Sequence, residues 1–327
     1  MDPVLVEATR GTRVESRHRG AAIVLDAAGG EVFVAGDADQ AVYPRSAVKA
    51  LLALPLVESG AADRLGLTEA EVALACASHA GEPVHVAAAA SMLHKAGRDV
   101  GALECGTHWP RDRAARALAA SGGQPSALHN NCSGKHAGFI CLACDRGDDP
   151  AGYIQPDHPT MRAVTQAMAE MTDTVLDERN HAVDGCSIPT FAVPLRALAL
   201  GFARFASGQG MGADRAAAVR RIRAAVAANP LMVGGTDSFD TQLMTAMGAR
   251  VFSKTGAEGV FCVAIPELGL GMALKCDDGA GRAAEIATGA LLHRLLGGDA
   301  LAGFARKTLT NWNGIAVGEL RPAEALA

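Results

Sequence analysis

Aromatic residues are scarce in this chain of 327 residues, with two tyrosines, two tryptophans and nine phenylalanines. Few rings are therefore available to stack on bases. Lysine and arginine together number 30 against 35 aspartates and glutamates, which leaves no basic surplus to neutralise a phosphate backbone. Nucleic acid is accordingly not the expected partner. Uninterrupted apolar stretches are lacking too: the best are broken by Pro55, Glu58 or Gly269, well short of the roughly 18 residues a membrane span needs. The first residues, MDPVLVEATRGTRVES, mix acids and arginines where a secretory leader needs a basic tip and an apolar run. A soluble, cytoplasmic protein without membrane contact is the expectation.

What the chain does have is apolar bulk and thiols. Hydrophobic residues make up 49% and charged residues 20%, an ordinary globular balance with a net charge of -5. Eight cysteines (76, 105, 132, 141, 144, 186, 262 and 276) are scattered rather than set in a short disulfide framework, so free thiols are expected in a reducing compartment. Cys76, Cys105, Cys262 and Cys276 read as small core residues, and Cys141 with Cys144 as one helical face.

Residues 21–35, two β-branched runs about a Gly-Gly pair, predict a hairpin. From Ser46 the pattern turns helical, bending at Pro55 and stopping at Gly60. Thr68 and Glu71 form a capping box, and helices are predicted near 85–97, 110–123, 158–171 and 213–229. Residues 250–276 hold three strand-like runs punctuated by Gly and Pro, followed by a helix from Gly281. No repeat and no alternating strand and helix pattern emerges. The expected class is therefore α/β in the broad sense, more closely α+β. It would be a single catalytic unit over 1–327, with an antiparallel sheet lobe from about 1–45 and 245–327 and a helical lobe from about 46–244.

Two spacings carry chemistry. Ser46 opens a helix with Lys49 three residues later, which places a hydroxyl and an amine on one face. A lysine base must be neutral, so its pKa has to fall by roughly three units, about 4 kcal/mol, through burial and neighbouring cations such as Arg45. Lys254-Thr255-Gly256 sits on the first strand of the later β region. Together these are two of three signature elements of the serine β-lactamase and penicillin-binding group, in the right order, and point to serine acyl transfer. The third, Ser-Asp-Asn, is missing, and Ser78-His79-Ala80-Gly81-Glu82 stands in mid-chain instead.

The octapeptide HNNCSGKH at 129–136 concentrates amides, a thiol, an amine and two imidazoles. With Cys186 downstream, Cys132 offers a second thiolate for an open three-ligand metal site, although Lys135 would have to lose its proton first. A phosphate loop does not fit, since His136 follows Gly134-Lys135.

The stretches YPRSAVKALLALPLVESGAAD, CASHAGEPVH, ECGTHWP, HNNCSGKHAGF, DGCSIPTFAVPL and KTGAEGVF, in this order, resemble the rhizobial-type (class 3, asparaginase II family) L-asparaginases. The resemblance implies a fold like that of serine β-lactamases, penicillin-binding proteins and glutaminases, usually in a homodimer. It implies hydrolysis of L-asparagine to L-aspartate and ammonia by two serine and lysine pairs, Ser46 with Lys49 and Ser78 with Lys254, with Ser46 as nucleophile. Arg45, His136 and Asp184 match substrate-binding residues. Cys132, Lys135 and Cys186 match a zinc site that assists binding; a fourth cysteine found near it in some members has no counterpart here. The rival readings are a glutaminase, a D-amino-acid peptidase or an esterase on the same fold, and a zinc-binding protein without activity.

Overall fold

The computed structural model describes residues 1–326. Its main sheet is antiparallel throughout and grows from both ends of the chain. The N-terminal part supplies β1 (Val4–Arg10), β2 (Arg13–Asp26), β3 (Glu31–Ala35) and a short β4 (Ala41–Val42). The C-terminal part supplies β8 (Phe252–Thr255), β9 (Val260–Ile265), β10 (Leu270–Cys276), β11 (Lys307–Thr310) and β12 (Ala316–Pro322), while in mid-chain β5 (His181–Val183) pairs with β6 (Pro189–Phe191) and β7 (Val193–Pro194) with β4, in two small ladders outside the main sheet. The order is β11-β12-β1-β2-β10-β9-β8, with β3 also paired to β2. Strand β2, at 14 residues, joins the two halves: its first part pairs with β1 and its second with β10 and β3.

Burial along β2 changes where the partners change. Arg13 to Arg17 alternate between exposed and half-buried, His18 is buried, and Gly20 to Leu25 are buried on both faces. The period of two explains the sorting: Ile23 and Leu25 enter the core on the helical side, Ala22 and Val24 the core on the opposite side. Helix Leu195–Ser207 lies on the first face. It comes so close to β10 that a Cβ on Gly271 would stand 2.1 Å from the Ala203 nitrogen, so only glycine fits there. Helix Gly281–Leu296 covers the second face with Ile286, Leu291 and Leu292.

Several sequence expectations are met locally. The 21–35 hairpin forms, with Gly29 at φ +88° in its turn. Thr68 and Glu71 make the capping box, and Glu71 is also paired with Lys95 at 2.6 Å. The helices predicted near 85–97, 158–171 and 213–229 are Pro83–Lys95, Pro159–Thr172 and Ala213–Ala228. All eight cysteines are free, and Cys76, Cys105, Cys262 and Cys276 are buried. Among the described residues no helix is long and apolar enough to cross a membrane.

Candidate active site

The sequence around Ser46 folds as a tight 3-10 turn, Arg45–Val48, before the helical turns Lys49–Leu52 and Leu54–Glu58. Arg45 has φ +52°, a left-handed conformation uncommon for a side-chain-bearing residue, held by a 2.6 Å ion pair between its Nε and Asp184 Oδ1. Ser46 is half-buried. The Lys-Thr-Gly strand closes against this turn: a Cβ on Gly256 would lie 2.6 Å from the Pro44 carbonyl oxygen, so the absent side chain is what lets β8 and the turn meet.

Lys49 and Lys254 arrive from opposite directions, one from the helix after the turn and one from the edge strand β8, whose period of two sends Phe252 and Lys254 to the helical side. Both end on Ser78, which follows helix Glu69–Ala75 and is buried. Lys49 Nζ donates to Ser78 Oγ at 2.9 Å, and Lys254 Nζ to the same oxygen at 3.0 Å. Lys49 also donates to the Ala77 carbonyl at 2.5 Å and to Cys132 Sγ at 3.1 Å. The amine is thus surrounded by Ala77, Ser78 and Cys132, so Lys49 bonds Ser78 and not Ser46, the partner its spacing suggests. Lys254 has the Thr255 carbonyl at 2.8 Å as its second acceptor.

Burial is the main cause of the state of both amines. It depresses Lys49 against the opposing pull of the Cys132 sulfur, and brings Lys254 down to about 7 despite Asp240, whose Oδ2 lies 4.0 Å from its Nζ. A lysine near 7 is a base poised for work at neutral pH.

The octapeptide opens a helix. Cys132 is the N-cap of Ser133–Arg146, with Lys135 and His136 in its first turn, all three buried. Cys186 comes from the turn between β5 and β6, closed by the Ser187 amide donating to the Asp184 carbonyl at 2.9 Å, with Ser187 at φ +75°. Lys135 Nζ donates to Cys186 Sγ at 2.9 Å. The Cys186 thiol bonds the Cys132 sulfur, and with Lys49 and Lys135 nearby and the positive end of the helix behind it, Cys132 is held well below the usual thiol range. Cys186 is pushed up by the same contact. Burial alone would lower Lys135, but the two sulfurs outweigh it and raise its pKa. Among the described residues no three histidines, cysteines, aspartates or glutamates cluster as metal ligands, so any metal here needs Lys135 as its third donor.

His136 is neutral, pushed well below its usual range by burial and then by Lys135 and Lys49. Its Nδ1 lies 2.6 Å from the Tyr153 hydroxyl, while its buried Nε2 has no hydrogen-bond partner among the described residues. Asp184 is held below the usual carboxylate range because Arg45 and Lys135 overcome its burial. The structure thus gathers Arg45, Lys49, Ser78, Cys132, Lys135, Asp184, Cys186 and Lys254 around one site, with Ser46 on the turn that β8 abuts. Two buried residues of this region escaped the sequence reading: Tyr153, behind His136, and Asp240, behind Lys254. Asp240 stands among polar neighbours in FDTQLM, so nothing local marked it as buried.

The profile of one family, L-asparaginase II, matches residues 6–322. The chain belongs to the L-asparaginase II family. It is thus an enzyme of the L-asparaginase type, and the resemblance read from six separated stretches is borne out over nearly the whole length. No curated protein matches the chain. Among solved structures it is similar to a β-lactamase from Mycobacterium bovis, with 15% identity, a TM-score of 0.41 and coverage of 84% of this chain and 94% of that one. A β-lactamase from Burkholderia vietnamiensis is similar at 20% identity and a TM-score of 0.39, covering 84% and 93%. Likenesses of this size carry nothing about the reaction, and the α+β class rests on the architecture described above.

Proposed function

We propose that this member of the L-asparaginase II family hydrolyses L-asparagine to L-aspartate and ammonia through an acyl-enzyme on Ser46. The observation that carries the reading is the arrangement of hydroxyls: Ser78 is buried and engaged by two lysines, whereas Ser46 is half-buried and takes no bond from Lys49. A hydroxyl wedged between two amines suits proton relay, and an unengaged one suits attack. In the first step Ser46 Oγ bonds the side-chain carbonyl carbon and its proton passes to a neutral Lys49. The C–N bond then breaks as a proton reaches the amide nitrogen along Lys49, Ser78 and Lys254. Ammonia leaves, and water, deprotonated by the same lysines, adds to the ester carbon; the C–O bond to Ser46 breaks as that proton returns to Ser46 Oγ, releasing aspartate. The Ser46 N–H, at the start of its turn, suits the developing oxyanion.

The Arg45 and Asp184 pair matches the two charges of an amino acid, guanidinium to carboxylate and carboxylate to ammonium, with the unpartnered His136 Nε2 as a further polar contact. Cys132, Lys135 and Cys186 fit a zinc ion by their donor chemistry, two sulfurs and an amine in mutual contact, once Lys135 has lost its proton. Bound there, zinc would supply positive charge that strengthens substrate binding. A homodimer follows the family resemblance, and a cytoplasmic setting suits eight free cysteines.

Ammonia release from asparagine and glutamine, with mass spectrometry of a rapidly quenched mixture, tests the proposal. An ester on the peptide bearing Ser46, absent in Ser46→Ala, is expected. Intact hydrolysis in Ser46→Ala with loss in Cys132→Ser would replace it by a metal-hydroxide route, and glutamine turnover exceeding asparagine turnover would make the enzyme a glutaminase. Metal analysis giving less than one zinc per two chains would remove zinc from the reading.

A further inference from the structure

We propose that Asp240 is a positioning residue of this enzyme, acting through Lys254: one buried carboxylate ties down the strand on both sides of the lysine and holds its amine toward Ser78. The inference rests on the serine and lysine reading above. Strand β8 ends the sheet and, among the described residues, pairs only with β9, which leaves its outer edge without a neighbouring strand. Asp240, in helix Phe239–Met247, supplies the missing partner. Its Oδ1 accepts from Ser253 Oγ at 2.6 Å and its Oδ2 from the Thr255 amide at 2.9 Å. The residues before and after Lys254 are thereby bound to a single group.

Asp240 is 1% exposed, a costly place for a carboxylate unless it is bonded, and both oxygens are bonded. The amine of Lys254, 4.0 Å away, is beyond hydrogen-bond reach, so what it receives from Asp240 is charge. Other groups face the same amine. Lys49 and Arg111 repel it, the Cys132 sulfur attracts it, and the thiols of Cys76 and Cys262 lie near. From helix Gly281–Leu296, Glu285 faces Asp240. After burial, Asp240 is the strongest influence on Lys254 and, ahead of the Cys132 sulfur, the main one that favours its ammonium form.

The test is the pH profile of kcat/KM for asparagine. Asp240→Asn keeps the size and removes the charge, so the acid limb set by Lys254 should move down by about one unit or more, as for loss of an opposite charge at this range. The plateau should fall at least about tenfold while KM changes little, since Arg45 and Asp184 are untouched. Asp240→Glu restores the charge on a longer arm, and should return the limb while leaving the plateau low. An unmoved limb in Asp240→Asn, or an unchanged plateau, overturns the inference. If Asp240→Asn does not fold, Asp240→Glu decides alone: limb in place with a lowered plateau supports the role, and a full plateau overturns it. Lys254→Ala separates the two levels. Wild-type kinetics in that variant would overturn the serine and lysine reading itself, whereas loss of activity there beside an unmoved limb in Asp240→Asn would overturn only the part assigned to Asp240.

Discussion

Replacing Ser78 by alanine takes one oxygen from the point where the two lysines meet. Hydrogen bonds with a charged partner contribute about 1.5–3 kcal/mol each. Both amines retain a carbonyl, Ala77 for Lys49 and Thr255 for Lys254, so the fold should lose only about 1–3 kcal/mol and remain populated. The loss to catalysis should be larger. With the amines 2.9 and 3.0 Å from that oxygen, they lie within about 6 Å of each other, where two like charges repel by about 3 kcal/mol at an effective dielectric of 20. That is about two pK units, enough to keep both amines from being charged together near neutrality, and Ser78 is the bridge across which the proton would pass. Positioned proton transfer is worth about 10²–10⁴ in rate, or about 3–5.5 kcal/mol. The expected outcome for Ser78→Ala is a kcat lower by two to four orders of magnitude with KM within a few-fold of the parent. Steady-state ammonia release and thermal melting on the same preparation measure both effects. A kcat within about fivefold of wild type, beside an inactive Ser46→Ala, would refute the relay.

Stability should peak between about pH 7.5 and 9. Lys254 titrates near 7 in the fold and near 10.4 when unfolded, so between those values the unfolded chain binds the extra proton and stability rises with pH. Burial pushes the thiols of Cys76, Cys105, Cys141 and Cys276 up to about 12 against about 8.5 unfolded, so above that lower value the unfolded chain sheds protons the fold keeps and stability falls. Urea midpoints across this range check the sign, and a steady decline from pH 7 would contradict it. Gly256→Ala should cost about 1–3 kcal/mol through overpacking and lower activity more than tenfold, because the new methyl would stand 2.6 Å from the Pro44 carbonyl and part the Ser46 turn from the Lys254 strand. Unchanged melting and activity would show that the two elements do not need that contact.

How far the sequence leads depends on whether the signal is local. Strands β9 and β10 are largely apolar runs punctuated by Gly and Pro, and the Thr68 box lies within four residues; both can be read directly. Strands β11 and β12 carry lysine, glutamate and arginine and are only partly buried, so they have little periodicity to read. Helix Leu195–Ser207, apolar enough to lie on the sheet, also went unpredicted among neighbouring short strands. In the site, residue types were legible and partnerships were not. Spacing pairs Lys49 with Ser46, but the choice is made by the Ala77 carbonyl, Ser78 and Cys132, which come from elsewhere in the chain. Ser78 and Lys254 are 176 residues apart, and only the family resemblance could pair them.

On the proposed roles, the contact between Lys49 and Cys132 would make binding and chemistry interdependent in this site. Lys49 and Lys135 help hold the Cys132 thiol below its usual range, and the Cys132 sulfur in turn opposes the burial that depresses Lys49. A cation bound by Cys132, Lys135 and Cys186 would take over that balance and weaken the hold of the sulfur on Lys49. Lys49 would then be freer to exist as the neutral base that acyl transfer requires. On this argument Cys132→Ser should alter more than KM: it removes an anion beside Lys49, and so should also move the pH dependence of kcat. A variant in which KM alone rises, with the kcat profile superimposable on wild type, would mean that the sulfur site and the lysine pair work independently despite lying 3.1 Å apart.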